Sequence, residues 1–534
     1  MTQNGRQKVY LRQDIQVEPL FNRWFAWVLL VPPTTAALYL KERYLTVMES
    51  YVNSPMLHVA AVKDPKMRGG PFIDLGGKYI DEMKSLIVET KESNAEILAF
   101  ASAIQSLSTL LAEKAKGYPM QPLYEEVPDQ LRGLVELCYD LSNQPSFRFF
   151  EPLVYRSSFF QEKAQSVALS VIQRDHERPF IMSTPRFDDD QTVHLRLPFS
   201  SPGLDTLFAM KTRAEPYETA LKHLGCEVGD EALFRSFFTE EAPQPYERYD
   251  GDAFRIRYFG HACILVETKE VTILLDPILS YTYESNVSRY TYQDLPDEID
   301  YVLITHSHHD HILMETMLQI RHKVKEIIVG RNYDGLLQDP SLELLLRSAG
   351  FDRVREIRDL EEIPIPGGFI MGIPFMGEHH DLSINSRSCF YIRIGDRSVL
   401  SVSDSCTVEP RLYERVYQEV GEVDTLFLGM ECDGAPISWV YGSLLPKPLP
   451  REIDYSRRAR GCNCGEGMAI VDQFKFKEVY VYAMGQEPWL RHILANELTE
   501  ESNPIQQSRQ LIEACQSRGI TAEYLFGEKE ILVD

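Results

Sequence analysis

No uninterrupted apolar run reaches the roughly 20 residues that a membrane-spanning helix needs. The most membrane-like stretch, Phe25 to Leu40, is broken by Pro32-Pro33 and Thr34-Thr35 and is expected as buried core. It follows a polar leader that carries acidic residues, so it makes a poor export signal. Cysteine is sparse and odd in number, at nine, which suits a reducing cytoplasm better than a disulfide framework. The one close pair, Cys462-Asn463-Cys464, lacks a second pair and reads as a plain loop. Excess positive charge is absent. A net charge of -24 repels nucleic-acid phosphates and anionic lipid, so neither is expected as a partner. No internal repeat, low-complexity tract, flavin motif or nicotinamide motif is visible.

What remains is an ordinary globular composition in a chain of 534 residues, too long for a single core. Ser93 with Glu96 forms a candidate capping box. Ile97, Leu98, Ala101, Ile104, Leu107 and Leu111 follow at helical spacing, and Gly117 can close that helix. Thr192 to Phe199 alternates like a strand, and Pro216 to Gly225 reads as a short helix. The acidic, proline-rich segment from Glu240 to Asp252 is the connector, which sets domains at 1–245 and 246–534. Strands are then expected at Phe254–Phe259, Cys263–Glu267, Val271–Leu275, Tyr301–Ile304, Glu326–Val329, Phe369–Ile373, Cys389–Ile394, Val399–Val402, Thr425–Leu428 and Glu478–Tyr482.

The densest chemical signal is Thr-His-Ser-His-His-Asp-His, directly after the Tyr301–Ile304 strand. Four of the chain's 13 histidines fall here. His306, His308, Asp310 and His311 place four potential metal ligands on one tight loop at a strand end. Packing does not call for imidazoles and a carboxylate at this density; a shared cation does.

With these motifs in order, the second domain resembles the metallo-β-lactamase superfamily, which implies an αββα sandwich after a mixed α/β N-terminal domain. The resemblance makes Asp276, followed by Pro277, a supporting acid that orients ligands, and Asp404 a bridging carboxylate. His261, in a turn near the metal face, is expected to support rather than to ligate. Two positions depart from the superfamily pattern. Where a histidine normally follows the strand ending near Phe375, the chain reads Gly377-Glu378-His379-His380-Asp381. Where a late histidine is usual, Ala483-Met484-Gly485-Gln486-Glu487 stands instead, and His492 is a poor substitute. Carboxylate in place of imidazole adds charge and hard oxygen, which favours iron over zinc. Both Glu378 and His379 stay open as the ligand.

With these substitutions and its long N-terminal half, the chain is similar to the diiron β-hydroxylases of nonribosomal peptide pathways. That group is typified by the chloramphenicol-pathway type. The resemblance implies two iron ions, with His306, His308 and Glu378 on one, Asp310 and His311 on the other, and Asp404 between them. Glu378 and Asp404 are then the catalytic carboxylates. It also implies dioxygen as cosubstrate, an external reductase as electron donor, and an aminoacyl thioester on a synthetase carrier domain as substrate. A homodimer and a substrate site shaped by the N-terminal domain belong to the same picture.

Glu431 and Asp433, after the Thr425 strand, are candidates to meet the substrate's ammonium. Arg451, Arg457, Arg458 and Arg460 form a basic cluster that suits a pantetheine phosphate, or else a solvated loop paired with Glu452 and Asp454. Two other functions compete: a dizinc hydrolase (thioesterase or phosphodiesterase) with His379 as ligand, and a carrier-binding scaffold with a structural metal.

Overall fold

The computed structural model describes residues 7–332, 334–495 and 497–533. In the second half, apolar runs build two seven-stranded mixed sheets. The first follows the spatial order Val354–Ile357, Val324–Gly330, Ile299–Ile304, Thr272–Leu275, Ile264–Glu267, Phe254–Tyr258 and Lys529–Val533. The second follows the order Glu362–Ile365, Gly368–Ile373, Cys389–Ile394, Arg397–Ser403, Thr425–Gly429, Glu478–Tyr482 and Thr521–Tyr524. Each sheet is antiparallel on its hairpin side and parallel where helices connect the strands.

The parallel strands are apolar on both faces because both faces are covered. Ile256, Val266, Leu303 and Ile328 meet Ile370, Phe390, Val399 and Phe427 between the sheets. Leu400, Leu426 and Val479 turn outward to helices Arg411–Val420, Cys464–Phe474 and Asn503–Ser517. On the opposite outer face, Leu274, Val302 and Ile327 join helices Met314–Ile320 and Leu342–Ser348. The result is an αββα sandwich.

The N-terminal half continues that last cluster without a break, so the two halves share one core. Its largest sheet runs Trp24–Phe25, Ile15–Phe21, Gln165–Val171, Val193–Leu195. Phe25 to Leu40 is buried throughout. Pro33 opens helix Pro33–Leu38, where its missing amide is tolerated, and Trp24 stacks on Tyr44 at 3.8 Å.

Several local expectations are corrected. Ser93 ends helix Ile80–Ser93, and Asn94 alone separates it from helix Ala95–Lys114. No free helix start is left for a capping box, and Glu96 takes a hydrogen bond from Ser158 instead. That helix stops at Lys114, before Gly117. Among the described residues it is also the one helix long and apolar enough to cross a membrane, which Phe25 to Leu40 is not. Its Ile97, Ala101, Ile104, Leu107 and Leu111 stripe is buried in the shared core. The Thr192–Phe199 strand shortens to Val193–Leu195. There the Leu197 amide turns back to Leu195 O, and Pro198 has no amide to pair. Pro216 caps helix Tyr217–Leu224 from outside its first turn.

Candidate metal centre

Strand Ile299–Ile304 delivers the His-rich loop to one end of the sandwich, beside the ends of Thr272–Leu275 and Arg397–Ser403. Asp276 is fully buried there. Its Oδ1 accepts from Thr305 N at 2.8 Å, and its Oδ2 accepts from Thr305 Oγ1 at 2.6 Å and His311 Nδ1 at 2.8 Å. A carboxylate on Nδ1 fixes the tautomer and points Nε2 the other way. His311 Nε2 accordingly lies 3.0 Å from Asp404 Oδ2. His306 Nδ1 lies 3.0 Å from Thr305 Oγ1, which turns its Nε2 into the same space. His308 Nδ1 lies 2.8 Å from Glu378 Oε1.

Three triads offer ligand atoms within 4.8 Å of one another: His306–His308–Glu378, His306–His311–Asp404 and His261–Asp310–His311. His306 Nε2, Glu378 Oε2 and Asp404 Oδ1 are buried without a hydrogen-bond partner. Each such atom costs about 1–3 kcal/mol unless something satisfies it. Burial and the neighbouring imidazoles hold His306 well below its ordinary range, in the neutral form a metal takes. Burial opposes protonation of His311, but Asp404, Asp276 and Asp310 together push it well above its ordinary range. Burial raises Glu378, and Asp404 and Asp310 add to it while His308 opposes. Three crowded carboxylates, two of them with unsatisfied inward atoms, fit a cationic pair of metals, and their hard oxygens fit iron.

Glu378 reaches this space through an unusual turn. Gly377 and Glu378 both have positive φ, +84° and +65°. A side chain at Gly377 would collide with Cys406 Sγ. His379 belongs to none of the three triads among the described residues. Its ring lies 4.5 Å from that of His308, and its Nδ1 lies 3.3 Å from Tyr441 Oη.

His261 comes closer than a remote supporting residue would. Its Nε2 lies 3.2 Å from Asp310 Oδ2, inside the third triad. Glu487 holds this turn, accepting from His261 N at 3.2 Å and from Tyr258 Oη. Where the superfamily carries its late histidine, Ala483 stands with φ of +56° and donates its amide to His261 O. Among the described residues His492 is in no triad; its carbonyl accepts from Ile181 N.

A cavity of about 510 Å³ opens on these ligands. Its wall combines His308, Asp310, Glu378 and Asp404 with Glu431, Asp433, Trp439 and Arg458, and with Lys66, Arg68, Phe180 and Met182 from the N-terminal half. Glu431 Oε2 accepts from Gly434 N at 2.6 Å. Burial, with Asp433 and Asp404, pushes its carboxyl up to about 7. Asp433 is exposed at the rim and accepts from Asn503 Nδ2.

The arginine cluster does not form one patch. Arg457 donates to His380 O, Arg458 to the carbonyls of Asp433 and Gly434, and Arg460 to Glu466. Arg451 lies over the Tyr455 ring. Asp454 serves Ser438 N and Oγ at 2.8 Å rather than any of these arginines. The Cys462–Cys464 segment is a helix start, in which Asn463 and Glu466 form a capping box.

Sequence reasoning missed Glu487, Tyr441, Trp439 and the N-terminal wall residues. Glu487 alone had a signal, as a carboxylate at the strand end where a ligand was sought.

Residues 10–243 match the family model described as the diiron non-heme β-hydroxylase N-terminal domain, and residues 255–401 match the β-lactamase superfamily domain. The chain is 37% identical over 524 residues to the 4-amino-L-phenylalanyl-CmlP-peptidyl-carrier-protein 3-hydroxylase of Streptomyces venezuelae, covering 96% of this chain and 98% of that one. The crystal structure of CmlA, a diiron β-hydroxylase from Streptomyces venezuelae, superposes with a TM-score of 0.92 at 36% identity, covering 99% of this chain and 100% of that one. A variant of the same enzyme gives 0.90 at 36% identity over 98% of this chain and 100% of its own.

Proposed function

This chain belongs to the diiron non-heme β-hydroxylases, and on that premise we propose that it hydroxylates the β-carbon of an amino acid held as a thioester on the carrier domain of a nonribosomal peptide synthetase. One observation carries the reading: 37% identity across both halves of the chain to a relative named for this reaction on a carrier-bound amino acid. It sets aside the dizinc hydrolase and the structural-metal scaffold.

In this reading His306, His308 and Glu378 hold one iron, Asp310 and His311 hold the other, and Asp404 lies between them. Asp276 and His261 orient the ligands, Asp276 through His311 and His261 through Asp310. Two irons bound there would supply dioxygen activation, using two electrons from an external reductase. In the balance, one oxygen atom enters the C–H bond as hydroxyl and the other leaves as water with two protons. Phe180, Met182 and Trp439 exclude water around the reacting carbon. Ala483 and Met484, also in the cavity wall, leave room where a further imidazole would project.

The domain boundary at 245/246, a homodimer, a cytoplasmic setting and a place in antibiotic assembly are parts of the same proposal. So is a docking role for Arg458 at the cavity wall, with Arg457 behind it on the His380 carbonyl.

Aerobically purified protein is expected to carry about two irons per chain, with a visible ferric absorption that bleaches on anaerobic reduction. Reduced enzyme with dioxygen should add one oxygen to an aminoacyl carrier. Stoichiometric zinc with thioester hydrolysis would overturn the reading. Glu378→Ala should lose iron and oxygen reactivity; full activity would remove Glu378 from the ligand set.

A further inference from the structure

Glu431 presents a carboxylate to the cavity that has no ion-pair partner among the described residues. It lies two residues beyond strand Thr425–Gly429. Gly429 packs so closely on Asp404 that an added Cβ would clash with Oδ1, which sets Glu431 beside that carboxylate. Its position is fixed at two points. Gly461 N donates to Glu431 O at 2.7 Å, and Gly434 N donates to Oε2. Arg458, which acts on the Glu431 carboxyl, is committed to the Asp433 and Gly434 carbonyls, and Arg460 pairs with Glu466. Arg68, across the cavity, pairs with Glu497. Closing the Gly434 turn requires only an acceptor, which a neutral amide supplies equally well. A largely buried charge without a counter-ion is costly, so the site gains when a cationic ligand arrives.

An aminoacyl thioester brings such a cation, since its α-ammonium sits on the carbon next to the one that reacts. We propose that Glu431 anchors the α-ammonium of the carrier-bound aminoacyl group and thereby sets which β-hydrogen faces the metal centre. This rests on the β-hydroxylase reading. With the thioester arm as one tether and the ammonium as a second, Cβ keeps one orientation toward Asp404 and Glu378. Glu431 is a specificity and positioning residue here; it is not a metal ligand.

The test begins with wild-type enzyme and a panel of L-aminoacyl thioesters on a carrier domain. No hydroxylation of any member overturns the β-hydroxylase reading and the anchor with it. For an accepted aminoacyl group, Glu431→Gln and Glu431→Asp are compared with wild type on that substrate and on its analogue lacking the α-amine. Iron content and the ferric spectrum should be unchanged. Glu431→Gln should raise KM about 10- to 100-fold, the worth of one charge-assisted hydrogen bond. It should also erase the preference for the amine-bearing substrate and mix the two β-hydroxy diastereomers. Glu431→Asp should restore part of each. If wild type hydroxylates but Glu431→Gln keeps both the preference and the diastereomer ratio, the anchor fails while the reading stands. A fall in kcat alone, with KM and stereochemistry intact, also overturns it.

Discussion

Glu315 sits four residues beyond His311, on the helix that follows the metal loop, and only 2% of its side chain is exposed. Both its oxygens accept from Arg178, at 2.9 and 2.6 Å, and Oε1 also accepts from Tyr281 Oη at 2.5 Å. Arg178 reaches on to Glu18 at 2.9 Å, and Glu18 is paired again with Arg186 at 2.8 and 2.9 Å. Two acids thus balance two guanidiniums inside the seam between the halves. Segment 178–186 also carries Phe180 and Met182, so the network joins the cavity wall to the metal loop. Glu315→Gln keeps the shape and deletes one charge, leaving a buried positive charge uncompensated. Removing one partner of a buried pair costs about 3–5 kcal/mol. Arg178→Met is expected to cost a similar amount. The double variant removes one charge of each sign, so its cost should fall short of the sum by about 1–3 kcal/mol. Lys211 adds a signature. Burial holds its ammonium down to about 7, and Glu315 works against that. Losing Glu315 should lower Lys211 further, toward the neutral amine. Urea unfolding of the wild type, both single variants and the double variant measures these terms. A loss below about 1 kcal/mol in either single variant, or strict additivity in the double, would refute the account.

Asp276→Asn should leave the fold intact but misorient His311, with iron affinity down about 10- to 100-fold by metal titration. Gly429→Ala should displace Asp404, so that iron content falls while circular dichroism stays native. Glu431 titrates near 7 when folded against an ordinary value of 4.5, so the folded state holds the extra proton between those values. Stability should therefore decline as pH rises from about 4.5 to 7, and Glu431→Gln should flatten that slope in thermal melts. Chelation should lower the melting temperature without unfolding the chain, because Asp276, Thr305 and Glu487 hold the ligand loops through protein hydrogen bonds; collapse of the native circular dichroism on iron removal would contradict this.

The central strands were legible because their apolar runs exceed what a loop tolerates, as in Tyr301–Ile304 and Thr425–Leu428. Strands Val354–Ile357, Glu362–Ile365, Thr521–Tyr524 and Lys529–Val533 were not. They carry charges or a proline on solvent-facing positions of outer strands, and only their partners make them strands. The pairing of Lys529–Val533 with Phe254–Tyr258 spans almost the whole second half of the chain, beyond any local window. The His-rich loop was readable for the opposite reason: its four candidate ligands lie within six residues of sequence. Trp439, Phe180 and Met182 reach the cavity, and Tyr441 reaches His379, from distant segments, and all have neighbours like those of any core residue.

Backbone strain explains why the scattered parts of the site hold together. His261, Asp276, Glu378, His380, Asp381, Ser403 and Ala483 all have positive φ, each at a cost of about 1–3 kcal/mol. Such a cost persists only where neighbours leave no cheaper conformation. Asp276 is held by three hydrogen bonds, His261 by Glu487 and Ala483, and Ser403 by Thr305 Oγ1 at 3.2 Å. Each clamp crosses between elements far apart in sequence, so the strain at a ligand is supported by the packing of both sheets. That arrangement aims Glu378 Oε2, Asp404 Oδ1 and His306 Nε2 at common points through protein contacts. A carboxylate at position 378 on a left-handed turn therefore does more than replace an imidazole. Its flexible stem brings Oε1 to 2.8 Å from His308 Nδ1, while His379, one residue on, turns its Nδ1 to Tyr441 Oη at 3.3 Å.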